Sequence, residues 1–386
     1  MNNILFNVHD MVQVMTAVLC CLFGIVVLVS GKFKPVSAML LAGFMVAQAL
    51  IASHELIMYA EQFRYQVLDF SPNLFFIGGF AYAVDGALLY LYANSLIRKD
   101  FRVRASHRLH IFPLLGYFVF LVFAYYIQEQ STKSEIIHLY FFDLQWHFVT
   151  SDTLIKIIRL VYFLLALNLI KKYREQLKQS RSSIEDVDLT WLKILVLGFS
   201  IVALIGVILS LAKVLTLFVE IKVVWLMFLG LTTYYATLFL VCSLWFFSAL
   251  NISSVAELKD RAEESHADYQ ADPEYIERIE RIMGEQKPYL IPNINFDSLS
   301  EKLDIPPREL SFTLNGHFKM NFYEFINFYR IREAKLILAS KEHLDKTITD
   351  IFHHVGFNSK SVFNVFFKKY TGMTPSEFRK QCQREN

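Results

Sequence analysis

Up to about residue 250 the chain alternates long apolar runs with short polar stretches, and beyond it the apolar positions thin out and fall at helical spacing. The runs lie at about 11–30, 36–58, 72–97, 109–128, 153–170, 191–212 and 223–249. A bilayer core about 30 Å thick takes roughly 20 mostly apolar residues per helical crossing. Backbone facing lipid must satisfy its own hydrogen bonds, so runs of this length predict helices. Seven crossings are therefore expected. The first run has no Lys or Arg before Lys32, so it lacks the basic start of a secretory leader and reads as a retained helix.

The later pattern predicts small paired helices. Residues 297–318, DSLSEKLDIPPRELSFTLNGHF, read as a helix, a tight turn at 304–306 and a second helix. Pro307 suits the first helical turn, where a missing N–H costs nothing. Leu299, Leu303, Leu310 and Leu314 would close the core between the two helices. An amphipathic helix over 321–340 follows, with Phe322, Phe325, Ile326, Tyr329, Ala334 and Leu338 on one face. Residues 347–372 repeat the first arrangement: Ile348, Ile351 and Phe352 would face Phe363, Phe366 and Phe367 across a turn at 355–357. The predicted fold class is all-α: a seven-helix transmembrane bundle over 1–250, an acidic helical linker over 251–286, and two helix-turn-helix units on a connecting helix over 287–386.

Composition agrees with this division. The chain is 54% hydrophobic and only 19% charged over its 386 residues, with a formal net charge of +2. That average hides unlike parts. Residues 251–285 carry 4 Lys+Arg against 10 Asp+Glu, and residues 286–386 carry 15 against 11. An acidic connector thus separates an apolar part from a mildly basic one. Val255, Leu258 and Ala262 form a weak heptad-like stripe, readable either as an extension of the seventh helix that pairs two chains or as a solvated linker.

Loop charge gives an orientation. Lys32, Lys34, Arg98, Lys99, Arg102, Arg104, Arg108, Lys171, Lys172, Arg174, Lys178 and Arg181 fall in one set of loops, and only Arg64, Lys133, Lys213 and Lys222 in the other. The excess of basic residues marks the cytoplasmic side. The N-terminus is then expected outside, and everything after residue 250 in the cytoplasm of a multi-pass inner-membrane protein.

The four cysteines, Cys20, Cys21, Cys242 and Cys382, have no CxxC or His/Cys spacing, so no zinc site or disulfide framework is expected. No metal, cofactor or catalytic residue is predicted. Ionisable groups at membrane depth are costly and default to functional hypotheses. His54, Glu55, Asp85, Lys156 and Arg159 are such groups, and all are expected in the outer half of the bilayer. They read either as a pocket for a polar or charged ligand head, walled by Tyr82, Trp225, Tyr234 and Tyr235, or as an internal pair such as Asp85 with Arg159. The outer stretch 129–152 reads as an interfacial helix or lid. Residues 223–249 contain no lysine that could carry a retinal Schiff base.

The run RIREAKLIL, followed by ITDIFHHVGFNSKSVFNVFFKKYTGMTPSEFRK, resembles the DNA-binding domain of AraC/XylS-type regulators over 296–381, above all in GF-x₅-F-x₃-F-K-K-x-x-G-x-[TS]-P. Asp304 stands where such domains usually have glycine. Seven crossings joined to this tail also resemble a group of membrane-embedded bacterial AraC-like regulators. The resemblance implies two helices that read base edges in the major groove of double-stranded DNA, while Lys, Arg and amide groups hold phosphates. The outward set in the first unit is Arg308, Ser311, Phe312 and Asn315, and in the second Ser359, Lys360, Ser361, Asn364, Lys368 and Lys369. A connecting helix of about 18 residues spans roughly 27 Å at 1.5 Å per residue, which sets two reading heads about one DNA turn apart. The modest positive charge favours a homodimer.

The expected function is a transcription regulator, not an enzyme, that couples a signal sensed by the bundle to promoter binding. Its ligand is an unknown small molecule or membrane component. Two alternatives stand beside it: a membrane enzyme or transporter with an autoregulatory DNA-binding tail, and a regulator released by proteolysis.

Overall fold

The computed structural model describes residues 6–30, 35–98, 101–102, 104–183, 189–249, 272–343 and 345–385. Lys32, Lys34 and Lys99 of the orientation argument lie outside the described residues, as do Val255, Leu258 and Ala262 of the connector. The fold is all-α: among the described residues there is no strand, only an isolated antiparallel bridge between Arg181 and Asn295. Two compact units form, one from Met1–Lys171 with Leu189–Ile252, the other from Lys172–Asp188 with Ser253–Asn386.

The first unit holds the apolar spans. Seven segments are long and apolar enough to cross a membrane: Val8–Val29, Pro35–Tyr59, Pro72–Ile97, Ala105–Tyr126, Trp146–Ser180, Thr190–Leu215 and Val223–Phe246. The first begins with a full capping box, in which the Asn7 side chain accepts from the Asp10 N–H and Asp10 answers from its carboxylate.

Two spans are not regular. The third opens with 3₁₀ turns at Pro72–Leu74 and Gly78–Ala83 and becomes α-helical only at Asp85–Ile97. Gly78 explains the tight approach there, since a Cβ would lie 2.5 Å from the Leu50 carbonyl oxygen. Asp85 therefore starts a helix rather than sitting mid-helix. The fourth span runs from a 3₁₀ segment into Phe112–Leu121 and ends in a π-helical turn, Val122–Tyr126. The stretch 129–152 includes the helices Gln130–His138 and Phe141–Leu144. Ile136, Ile137 and Phe142 join a core with Phe75, Phe76, Tyr125 and Phe148.

In the second unit, Pro273–Glu285 is an amphipathic helix capped by Asp272. The sequence pattern predicts a linker running to residue 286, yet Ile279, Ile282 and Met283 are buried with Leu299, Leu303, Leu310 and Phe325 in one core. Apolar residues at i, i+3 and i+4 give this helix a face that needs covering. The helices Phe296–Leu303, Pro307–Gly316, Phe322–Ala339, Ile348–His354, Lys360–Thr371 and Pro375–Glu385 follow.

Candidate nucleic-acid interface and buried polar cluster

The first helix pair is built around a left-handed residue. Asn295 caps Phe296–Leu303 by accepting from the Ser298 N–H at 2.8 Å. The helix ends at Asp304, whose φ of +50° is the conformation glycine usually supplies. Aspartate is among the few side chains that take this conformation readily, so the departure from glycine leaves the turn intact. Arg278 secures it by donating to the Asp304 carbonyl at 2.9 Å. Leu299, Leu303, Leu310 and Leu314 are buried between the helices.

The outward set of this pair differs from expectation at one position. Arg308 is exposed and Ser311 and Asn315 are half-buried, but Phe312 is only 9% exposed. Its ring packs inward, with the Arg308 guanidinium 5.5 Å from its centroid. Burying a phenyl ring outweighs what it could offer in a groove. Asn315 donates back to the Ser311 carbonyl of its own helix at 2.9 Å.

The second pair is more open. Thr347 and Asp350 form a capping box at Ile348–His354, and those bonds hold the Asp350 carboxyl below its usual range. Gly356 makes the turn at φ +90°. Ser359 caps Lys360–Thr371, and Gly372 ends it at φ +78°. Phe363, Phe366 and Phe367 are buried, and Phe363 meets Phe357 at 5.4 Å. The opposite face presents Lys360, Ser361, Asn364, Val365 and Lys368, all exposed, while Ser359 is half-buried. Lys369 instead reaches Glu324 of the connecting helix at 3.1 Å.

Two residues that bear on this geometry were missed by periodicity. Val365 stands 67% exposed between Asn364 and Lys368; its i, i+4 relation to Ser361 is the signal that could have placed it on the exposed face. Arg330 is wholly buried in the connecting helix. Its Nε donates to the Tyr289 carbonyl at 2.7 Å and its Nη2 to the Ile291 carbonyl at 3.0 Å. A lone cation on the stripe Ile326–Arg330–Ala334, four residues apart each time, was the available clue.

In the first unit the structure sets four of the five predicted ionisable residues around Tyr82 and ties the fifth, Asp85, to Arg159. The Tyr82 hydroxyl donates to Glu55 at 2.7 Å, and the Tyr234 hydroxyl donates to the other oxygen at 3.0 Å. Arg159 and Lys156 lie over the Tyr82 ring, 5.2 and 5.5 Å from its centroid. His54 packs edge-on to the same ring at 6.3 Å. Asp85 accepts from Arg159 Nε at 2.7 Å and from Gln48 Nε2 at 2.9 Å on one oxygen. Lys156 pairs with Asp152 at 2.8 Å, and Ser210 donates to the same carboxylate. Lys213 pairs with Asp143 at 2.7 Å. Of the expected aromatic walls, Tyr82 and Tyr234 belong to this cluster. Trp225 is 64% exposed and Tyr235 bonds His9, so neither does; their helix turns those positions outward.

The comparisons fit the second unit. Residues 299–381 match the family model described as a helix-turn-helix domain. The arabinose operon regulatory protein of Escherichia coli K12 is 32% identical over 91 residues, 23% of this chain and 30% of that protein. An uncharacterized HTH-type transcriptional regulator of Staphylococcus aureus strain COL is 34% identical over 87 residues, 22% of this chain and 11% of that one. The HTH-type transcriptional activator RhaS of Pectobacterium carotovorum is 27% identical over 104 residues, 27% of this chain and 36% of its own. Each match covers only a minor part of the relative's length. No solved structure gives a significant match. The geometry defines a domain of two helix-turn-helix units on a connecting helix. Residues 299–381 form an AraC-type helix-turn-helix domain.

Proposed function

We propose that this protein is a membrane-embedded bacterial transcription regulator whose C-terminal domain binds promoter DNA in the cytoplasm. The observation that carries the reading is the second reading helix. One face is locked into an aromatic core, and the other exposes Lys360, Ser361, Asn364, Val365 and Lys368. Side chains of this kind match base edges and phosphates in a major groove. The domain match over 299–381 supports the same conclusion.

Seven apolar spans and twelve basic loop residues against four support a multi-pass arrangement with the N-terminus outside. The cluster of His54, Glu55, Lys156 and Arg159 around Tyr82, with Asp85 held by Arg159, is then the sensing site, with a small molecule or membrane component as its ligand. Such a ligand shifts the bundle only if it binds one arrangement better than the other. A homodimer would supply the DNA affinity that a modest basic charge does not.

Genome-wide occupancy of the full-length, membrane-retained protein tests the reading. Sharp peaks beside promoters are expected; a flat profile from well-expressed protein would remove it. On a site so identified, Asn364→Ala should cost about 1–3 kcal/mol and relax preference at one base pair. Lys360→Ala should weaken all sequences alike and lower the salt slope by about 1. Val365, exposed on the same face, would meet a thymine methyl. Its change to alanine removes two methyl groups and should weaken binding about tenfold, at about 0.8 kcal/mol per buried methylene. Replacing thymines one at a time by deoxyuridine should weaken the wild type at one position and leave Val365→Ala unmoved there.

A further inference from the structure

The DNA-binding unit is not made from the C-terminal stretch alone. Lys172–Asp188, which begins in the last turns of the helix Trp146–Ser180, belongs to the same compact unit. Within it, Arg181 bridges Asn295 in antiparallel register. The Ser182 backbone N–H and hydroxyl both donate to the Ile294 carbonyl, at 3.3 and 2.7 Å. Asn327 Nδ2 donates to the Ser182 carbonyl at 3.3 Å, and Arg330 Nη2 reaches the Ser182 hydroxyl at 3.5 Å. Asn358 Nδ2 donates to the Ser183 hydroxyl at 3.3 Å and to Asn293 at 2.6 Å. Ser182 ends up 1% exposed.

These bonds join three separate pieces of the domain. Ile294 and Asn295 lead into the first helix pair, Asn327 and Arg330 belong to the connecting helix, and Asn358 lies in the turn before the second reading helix. Their mutual placement sets the distance and angle between the two reading helices. All the contacts are polar, and water can replace each of them at small net cost. The leucine and phenylalanine cores beneath have no such alternative. Arg330 keeps its two carbonyl partners whether or not Ser182 is there. The docked and undocked states are thus both compatible with a folded domain, as a switching element requires.

We propose that residues 181–183 are a peptide ligand in cis for the DNA-binding domain. Their docking on Ile294, Asn295, Asn327, Arg330 and Asn358 fixes the spacing of the two reading helices. The helix Trp146–Ser180 carries this strap, so a change in the fifth span reaches the DNA through it. The inference rests on the DNA-binding reading above.

The test uses the full-length protein in membrane vesicles and a promoter site from the occupancy map, at fixed salt. Ser182→Trp cannot fit a slot that leaves the serine 1% exposed and should expel the strap. In a Cys382→Ser background, Arg181→Cys with Asn295→Cys should lock it. Bridged residues in antiparallel register lie about 4.5–5.5 Å apart at Cα, within disulfide reach. The cross-linked peptide is read by mass spectrometry. Locked protein should bind the whole site at least as tightly as wild type, and reduction should return it to the wild-type value. Ser182→Trp should lose tenfold or more on the whole site and keep its binding to one half-site. Unchanged whole-site affinity in Ser182→Trp, or absence of the cross-link, would overturn the strap. Loss of half-site binding as well would make it a folding element and also overturn the proposal. Wild type that binds neither site would instead overturn the DNA-binding reading, and the strap's role with it.

Discussion

Alanine at position 85 is expected to destabilise the apolar unit by about 3–5 kcal/mol, the usual cost of removing one partner from a buried ion pair. Arg159 is only 7% exposed, and among the described residues Asp85 is the carboxylate within salt-bridge distance of it. The pair cannot easily move apart. At Gly86 a Cβ would lie 2.9 Å from Tyr162 Cβ and 3.1 Å from the Arg159 carbonyl, so the helix from Asp85 and the helix from Trp146 touch at backbone distance. Changing both partners, Asp85→Ala with Arg159→Met, should recover most of the loss, because an apolar replacement of a buried pair is often neutral or better. Thermal unfolding of the purified protein in lipid reads both effects. The double variant also separates two roles. Recovered stability with a normal transcriptional response makes the pair a structural lock. Recovered stability with no response assigns it to sensing. A single variant as stable as wild type would show that Arg159 reaches another partner or water.

Gly356→Ala is expected to cost about 2–5 kcal/mol and abolish DNA binding without touching the reading face. Two effects add: the left-handed backbone at φ +90°, worth about 1–2 kcal/mol against a side chain, and overpacking at about 1–3 kcal/mol. The new Cβ would stand 2.9 Å from the Leu290 carbonyl, 3.1 Å from the Tyr289 carbonyl and 3.1 Å from Arg330 Nε. These neighbours cannot swing aside, since the Tyr289 carbonyl is itself held by the buried guanidinium. Gly372 is the control. Its φ is +78°, and an added Cβ would meet nothing within 4 Å, so Gly372→Ala should cost only the backbone part, and Gly372→Asn less. Calorimetry on both, with binding to the promoter site, checks the contrast. Equal losses at the two glycines would mean that the close approach at Gly356 carries no weight.

The helices themselves were legible in the sequence because their causes are local. Apolar residues three and four apart placed Leu299, Leu303, Leu310 and Leu314 in one core and Phe363, Phe366 and Phe367 in the other. Length and composition alone gave seven segments able to cross a membrane. Pro307 and Gly356 marked a helix start and a turn through their own backbone limits. Phe312 was misplaced because helical spacing tells which side a residue leaves the helix on, not whether its ring folds back under a neighbour such as Arg308.

What the chain determined by itself was therefore the set of elements and their apolar faces. Tertiary structure alone decided the partners. Glu55 and Tyr234 are 179 positions apart and Asn327 and Ser182 145, while Asp85 with Arg159, 74 apart, was legible only as one of two readings. No periodicity reaches over such separations. A hydrogen bond's direction and distance depend on how whole helices pack, and that packing is fixed by buried area, which is indifferent to which polar group meets which.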